Sequence, residues 1–378
     1  MHKKNIIFIQ PLFYQPGMPN FKDRFEMLSK YFKGHVFSIT DDSGKYDGLK
    51  FGEFTYHGIQ YISNKIFRYL YYFIYVIIKV IKIKLSGEID VIHSYDPIFF
   101  GFVAVILKFI TGSKLIVEIN GHLLQGKFLG KNNFKLKIKR KIIVSLIKFS
   151  IINADTVKLL NPDQINEFRK QIRSKKILIY HDFVPTHVFS PSRATDDKFI
   201  LCIGHPFYVK GVDILIKSFL RIVHVFPCIK LLIVGHCHGG DRERNKYIEM
   251  ACGNSNIQIL KPVSYDKAIA LFHSCTFFVL PSRSEAMGRV LIEAMAAGKA
   301  VIGSRIGGIP TVVEDGKNGY LFESENVGEL SLKMTCLLSD VELRESMGAY
   351  GFGMVGDKFS SEKYVECFRH MLEDCVNG

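Results

Sequence analysis

Two glutamates bracket a short cationic loop. In Pro281-Ser282-Arg283-Ser284-Glu285-Ala286-Met287-Gly288-Arg289-Val290-Leu291-Ile292-Glu293, Glu285 and Glu293 stand on either side of Met287-Gly288-Arg289. Carboxylates accept hydrogen bonds from hydroxyls, so such a pair suits a ligand rich in diols. The preceding run Thr276-Phe277-Phe278-Val279-Leu280 predicts a buried parallel strand that stops at Pro281-Ser282. Val290 to Ala297 then forms a helix that Gly298 ends, and Ala300-Val301-Ile302 begins another strand. In a strand-loop-helix-strand unit the loop lies at the carboxyl end of the strand. The helix opens with unpaired backbone N–H groups that can hold a phosphate without a metal. Gly288 lets the chain come close, Glu285 is placed to reach sugar hydroxyls, and Glu293, about one helical turn beyond Arg289, can accept two hydrogen bonds from a ribose diol. Taken alone, the spacing fits equally a solvated loop glutamate and an exposed helical one.

Two more stretches narrow the reading. Ile203-Gly204-His205-Pro206-Phe207-Tyr208-Val209-Lys210-Gly211-Val212-Asp213 places an ammonium at the start of the helical run from Val212 to Phe226, which makes sense if lysine and helix dipole share an anion. Gly307-Gly308-Ile309-Pro310 follows the last of the strands named above. In this order the three stretches resemble the signature of retaining glycosyltransferases of family 4, the glycosyl transferases group 1. The resemblance implies transfer of a hexose or similar sugar from a nucleoside-diphosphate sugar to an acceptor hydroxyl, with no metal and no cofactor. It implies that Lys210 and the amides of Met287, Gly288 and Arg289 hold the diphosphate, Glu293 the ribose and Glu285 the sugar. Relatives usually carry arginine at the position of His205, which keeps a donor N–H but lacks the guanidinium fork. They carry histidine at the position of Asn120 and glutamate at that of Thr311. Asn120 can hydrogen-bond a sugar, and His122, two residues on, can take over the histidine's part. Gly17, in the loop Pro11 to Pro19, is placed near the donor phosphates by the same resemblance. His93 is a further candidate. Each histidine fits a satisfied structural role equally well. His236-Cys237-His238 is too tightly spaced to converge on one ion, and no metal is expected.

The elements that must position these residues alternate. Asn5 to Gln10, His35 to Thr40, Asp90 to Ser94, Lys114 to Asn120, Thr156 to Leu160 and Ile177 to Tyr180 predict strands, mostly separated by helical patterns. The scheme repeats from Phe199 through Leu231 to Val234, Ile257 to Leu260, Thr276 to Leu280 and Ala300 to Ile302. His181 to Pro191 holds two prolines and little periodicity, and reads as the linker. The expected organisation is an acceptor-side domain over 1–185, a nucleotide-sugar domain over 186–359 and a C-terminal helix over 360–378 that crosses back. The resemblance names this α/β architecture GT-B, two Rossmann-like domains with parallel sheets facing across a cleft.

Length and composition agree with two well-packed domains: 378 residues, 48% hydrophobic, with 31 Gly and 12 Pro. Eight cysteines without a Cys-x-x-Cys pair, most of them in apolar segments, read as buried thiols in a reducing compartment. Met1-His2-Lys3-Lys4 leads into only a short apolar run before Pro11, so no secretory signal is read and a cytoplasmic location is expected. The apolar runs Tyr69 to Ile78 and Ile98 to Leu107 are about half the length of a membrane span. The formal charge of +14 is concentrated. Lys127 to Lys148 holds seven lysines and one arginine, and Lys65 to Leu85 four lysines and one arginine, with no acid in either. Basic helices mixed with Phe, Tyr and Ile suit the anionic inner face of a membrane, where a lipid-linked glycan acceptor would be met. Solvated lysines on helices packed against a sheet explain the same charge. Nucleic acid is not expected as a partner. Outside transfer, the sequence leaves open a non-catalytic basic protein on the same fold that binds membrane or nucleic acid, and a nucleotide-sugar epimerase.

Overall fold

Runs of β-branched and aromatic residues become strands here because their alternate side chains can be buried on both faces of a sheet. The computed structural model describes residues 3–11, 16–41, 43–121, 123, 134–189, 198–237 and 240–377. They divide into two compact units, one made of residues 1–181 with 364–378 and the other of residues 182–363.

In the first unit the chain runs β1 (Lys4–Ile9), α1 (Pro19–Leu28), β2 (Phe32–Thr40), α2 (Ser43–Tyr46), β3 (Lys50–Phe51), β4 (Phe54–Gln60), α3 (Lys65–Ser86), β5 (Val91–Ser94), α4 (Phe99–Thr111), β6 (Lys114–Ile119), α5 (Phe134–Asn153), β7 (Thr156–Leu159), α6 (Asp163–Ile172) and β8 (Lys176–Ile179). The strands pair in the order β3-β4-β2-β1-β5-β6-β7-β8. All neighbours are parallel except β3 and β4, a short antiparallel pair. The sequence reading did not include β3 and β4. Their Lys50 to Gln60 stretch mixes Gly, Glu, His and Gln with its apolar residues, and Gly52 turns the chain at φ 58° between them.

Along β1, Ile7 and Ile9 join the core shared with α3, α4 and α5, whereas Phe8 points to the other face, against Phe25 of α1 and Phe54. That second face also buries ionisable groups. Lys158 and Glu118, both fully inaccessible, pair at 2.6 Å, and His93 Nε2 lies 3.6 Å from the other Glu118 oxygen. The Lys158 ammonium sits 4.5 Å from the ring centre of Tyr180, and the Arg24 guanidinium 4.3 Å from that of Tyr95. Burial, then the charges of Arg24 and Lys158, hold the His93 imidazole well below its usual pKa.

The second unit continues with β9 (Phe199–Ile203), α7 (Val212–Leu220), β10 (Lys230–Val234), α8 (Gly240–Met250), β11 (Ile257–Leu260), α9 (Tyr265–Ser274), β12 (Phe277–Leu280), α10 (Arg289–Ala296), β13 (Val301–Ser304), α11 (Ile309–Val312), β14 (Gly319–Phe322), α12 (Val327–Ser339) and α13 (Val341–Lys358). Its sheet is parallel in the order β11-β10-β9-β12-β13-β14. That is the doubly wound order, and its direction reverses between β9 and β12. β14 was also missed in the sequence. It is four residues long and begins on a glycine, Gly319, where a Cβ would lie 1.8 Å from the Val301 carbonyl oxygen.

The last helix, α14 (Ser361–Asn377), begins in the second unit, and from Tyr364 onward it belongs to the first. Its Phe368 ring lies 5.9 Å from Phe8 and 5.7 Å from both Phe32 and His93. Of the cysteines, Cys202, Cys237, Cys275 and Cys375 are buried, but Cys228, Cys252 and Cys336 are exposed, so burial is not general for the thiols as the sequence suggested. No described helix is long and apolar enough to cross a membrane.

Removing one partner of a buried ion pair strands the other, at a cost of about 3–5 kcal/mol. Lys158→Met should therefore lower the urea midpoint of the first unit, and Lys158→Met combined with Glu118→Leu should recover most of the loss. A double variant less stable than the single one would show that the pair does not act as a unit.

Candidate active site

The three motif loops leave adjacent strands, β9, β12 and β13, at their carboxyl ends, where the order of the second sheet reverses and α/β folds bind ligands. They are held backbone to backbone. The Arg283 amide donates to the Val209 carbonyl at 2.8 Å and the Gly308 amide to the Glu285 carbonyl at 3.1 Å, while Ser304 Oγ donates to the Ser282 carbonyl at 2.6 Å. Two glycines make this packing possible. A Cβ on Gly211 would lie 1.9 Å from the Pro281 carbonyl oxygen, and one on Gly308 would lie 2.0 Å from that of Ala286. Gly211 at φ 66° and Gly288 at φ 86° also take the left-handed conformation from which α7 and α10 start. Both helices therefore open at this end of the sheet, with the positive ends of their dipoles there.

Within this frame Lys210 and Glu285 meet. The ammonium donates to Glu285 Oε2 at 2.5 Å, with side chains only 18% and 14% exposed. Ser282 Oγ lies 3.5 Å from the same oxygen. An ammonium has three N–H bonds, so Lys210 can hold Glu285 and still donate to an anion. Glu293, one turn into α10, is buried, and its nearest described cation is Arg289 at 3.7 Å. Burial raises the Glu293 carboxyl above its ordinary pKa, and Arg289 offsets part of the shift. Met287 is buried too, and its sulfur accepts the Asp182 amide at 3.2 Å, so its side chain serves packing while its backbone stands before the helix.

His205 is exposed, its ring stacked on that of His236 at 4.3 Å between centres. Cys237 beside it is buried, and burial pushes its thiol up to about 11. Thr311 turns its hydroxyl to the Gly308 carbonyl at 2.7 Å.

Asn120 and Gly17 belong to the first unit. Asn120 is exposed after β6 and donates to the Tyr95 carbonyl at 2.8 Å, tying its loop to the end of β5. Gly17 lies in a turn before α1, where a Cβ would touch only Tyr46, at 3.6 Å, so its backbone gives no reason for a glycine. His122 lies outside the described residues, as does His238. His93 is fully buried against Phe8, Tyr95 and Phe368, which removes it as a candidate for contact with a ligand.

Sequence reasoning missed the clamp that holds the glutamate loop. Arg283, 8% exposed, forms two hydrogen bonds to Asp213 at 2.7 and 2.8 Å, one to the Tyr208 carbonyl at 2.7 Å and one to Glu325 at 2.8 Å. Burial works against the Asp213 carboxylate, but the Arg283 bonds and charge outweigh it and hold the pKa below the ordinary value. The partners stand far apart in the chain, so no spacing announces them. An arginine in the turn that follows a buried strand was the one available signal. Also missed was Asp96, after β5, whose carboxyl burial pushes up to about 6 against hydrogen bonds from the start of α4.

An uncharacterized glycosyltransferase of Methanocaldococcus jannaschii is 30% identical over 371 residues, 97% of each chain. The chain belongs to the glycosyl transferases group 1. The profile of that family matches residues 184–354, the stretch that carries all three motif loops. The glycosyltransferase has the GT-B fold: sucrose-phosphate synthase from Thermosynechococcus elongatus superposes with a TM-score of 0.80 at 16% identity, covering 98% of this chain and 99% of that one. Anabaena HepE in complex with UDP-glucose superposes at 0.76 with 14% identity, covering 99% and 100%. Membership makes the chain a glycosyltransferase.

A carboxyl whose pKa rises on folding adds stability below its unfolded value and loses it as pH rises through the folded one. Glu293 therefore weakens the ligand-free enzyme at neutral pH. Glu293→Gln should raise the unligated melting temperature at pH 7.5, and the gain should vanish near pH 4. An equal or lower melting temperature at pH 7.5 would contradict the assigned burial.

Proposed function

We propose that this glycosyltransferase is a metal-independent retaining enzyme that moves a hexose or related sugar from a nucleoside diphosphate to a hydroxyl of a glycan or lipid-linked glycan. The setting we propose is assembly of a bacterial surface polysaccharide or lipopolysaccharide at the inner face of the cytoplasmic membrane. The observation that carries the reading is the meeting of Lys210 and Glu285 where α7 and α10 both open.

In this reading the diphosphate lies against the first turns of α7 and α10 with Lys210 beside it, so charge gathering on the departing phosphate meets donors already in place. Glu293 accepts from the ribose diol, which repays the burial of its carboxylate. Glu285, held by Lys210, accepts from hydroxyls of the transferred sugar. The acceptor hydroxyl attacks the anomeric carbon on the face the diphosphate leaves, its proton passing to the leaving phosphate oxygen, and the anomeric configuration is kept. Asn120 and His122 are proposed contacts with the sugar, and Gly17 and His205 with the donor phosphates. The UDP-glucose complex of Anabaena HepE supports a nucleotide-sugar donor. No cofactor enters the scheme.

A thermal-shift panel of UDP-, GDP- and ADP-sugars should single out one donor, since at equal concentration the tighter ligand stabilises more. With that donor, Glu293→Ala should lower kcat/KM by at least about a hundredfold, the smallest loss expected for two hydrogen bonds to a charged group. Full turnover by Glu293→Ala, or a product whose anomeric proton coupling shows inversion, would overturn the proposal.

A further inference from the structure

A helix that packs on a sheet ordinarily buries one apolar stripe and turns a polar face to water. α3 does not. It buries Tyr72, Val76 and Val80 on the first unit, yet Ile66, Phe67, Leu70, Tyr71, Ile74, Ile78, Ile81 and Leu85 are all exposed, Ile66 by 78% and Leu85 by 83%. At about 100° per residue these eight form one stripe roughly opposite the buried face, and at about 1.5 Å per residue it runs for roughly 28 Å. Contiguous exposed apolar surface of this kind marks an interaction site.

Charge identifies the partner. α3 carries Lys65, Arg68, Lys79, Lys82 and Lys84, and α5 carries exposed Lys139, Arg140, Lys141 and Lys148. Neither helix, nor α4 between them, contains an Asp or Glu. α3 and α5 both pack on α4, and α5 adds exposed Ile138, Ile142, Phe149 and Ile152.

We infer that the outward stripe of α3, flanked by the lysines of α3 and α5, is the surface by which the enzyme docks on an anionic lipid bilayer. The isoleucines and leucines enter the acyl boundary while the lysine heads remain among the headgroups. A second copy of the chain fits poorly, because pairing α3 with itself brings lysine against lysine with no acid to compensate. A nucleic acid would satisfy the lysines and leave the aliphatic stripe uncovered. The inference rests on the membrane setting proposed above and deepens it by naming the surface.

The chain has no Trp, so Ile74→Trp supplies a single reporter at mid-stripe. The wild type should float with vesicles of equal parts phosphatidylglycerol and phosphatidylcholine, not with phosphatidylcholine alone, and the reporter emission should shift to the blue on the anionic vesicles. Ile74→Glu with Ile78→Glu, and separately Lys79→Glu with Lys82→Glu, should each weaken binding by about tenfold or more while keeping the melting temperature. Hydrolysis of the donor in solution should be unchanged in both. Equal flotation with neutral vesicles, flotation without a blue shift, or no flotation would overturn the inference. So would a dimer that the Ile74→Glu, Ile78→Glu variant dissociates, or an RNA complex formed in place of vesicle binding. Because donor hydrolysis is read separately, a failure of docking with turnover intact leaves the transferase reading standing.

Discussion

Everything proposed for the second unit depends on how closely three loops approach one another. Backbone carbonyls of Pro281 and Ala286 occupy the space where side chains of residues 211 and 308 would begin, and only glycine leaves that space empty. This contact joins the carboxyl ends of β9, β12 and β13 into one surface, starts α7 and α10 there, and brings Lys210 to Glu285 over 75 residues of sequence. Arg283 completes it, a guanidinium that donates to Asp213, Glu325 and the Tyr208 carbonyl.

The site is built at a cost to the resting protein. Glu293 is a buried carboxylate whose nearest described cation stands at 3.7 Å, too far for a hydrogen bond, and its burial is unfavourable until something donates hydrogen bonds to it. The first unit treats buried charge differently, since Glu118 has Lys158 at 2.6 Å and its site is closed. A buried carboxylate at a sheet's switch point, with its cation beyond hydrogen-bond distance, suits a ligand site, whereas one ion-paired at 2.6 Å within a core belongs to a structural network.

Much of this was legible in the sequence, and the illegible parts share a cause. The strand-loop-helix unit from Phe277 to Ala296 announces itself because each piece is local: an apolar run, Pro281 as stop, Gly288 as start and Gly298, at φ 74°, as end. Alternation likewise gave most of both sheets. β3, β4 and β14 escaped because they are short or polar and owe their strand state to neighbours already in place. The Arg283–Asp213 clamp and the Met287–Asp182 contact escaped because partners 70 and 105 residues apart have no spacing signal. Lysines of α3 were visible as charge, but which of its apolar residues face outward follows from the face that Tyr72, Val76 and Val80 bury, which folding decides.

The central claim is that an anionic donor is held by the opening turns of α7 and α10 with Lys210 beside them. Amide-resolved NMR of the deuterated protein titrated with UDP, GDP and ADP tests it most directly. One diphosphate should shift the amides of Gly211, Val212, Gly288 and Arg289 in saturable fashion, with a much weaker response in Lys210→Met. Saturable binding that leaves those four amides unmoved would contradict the account.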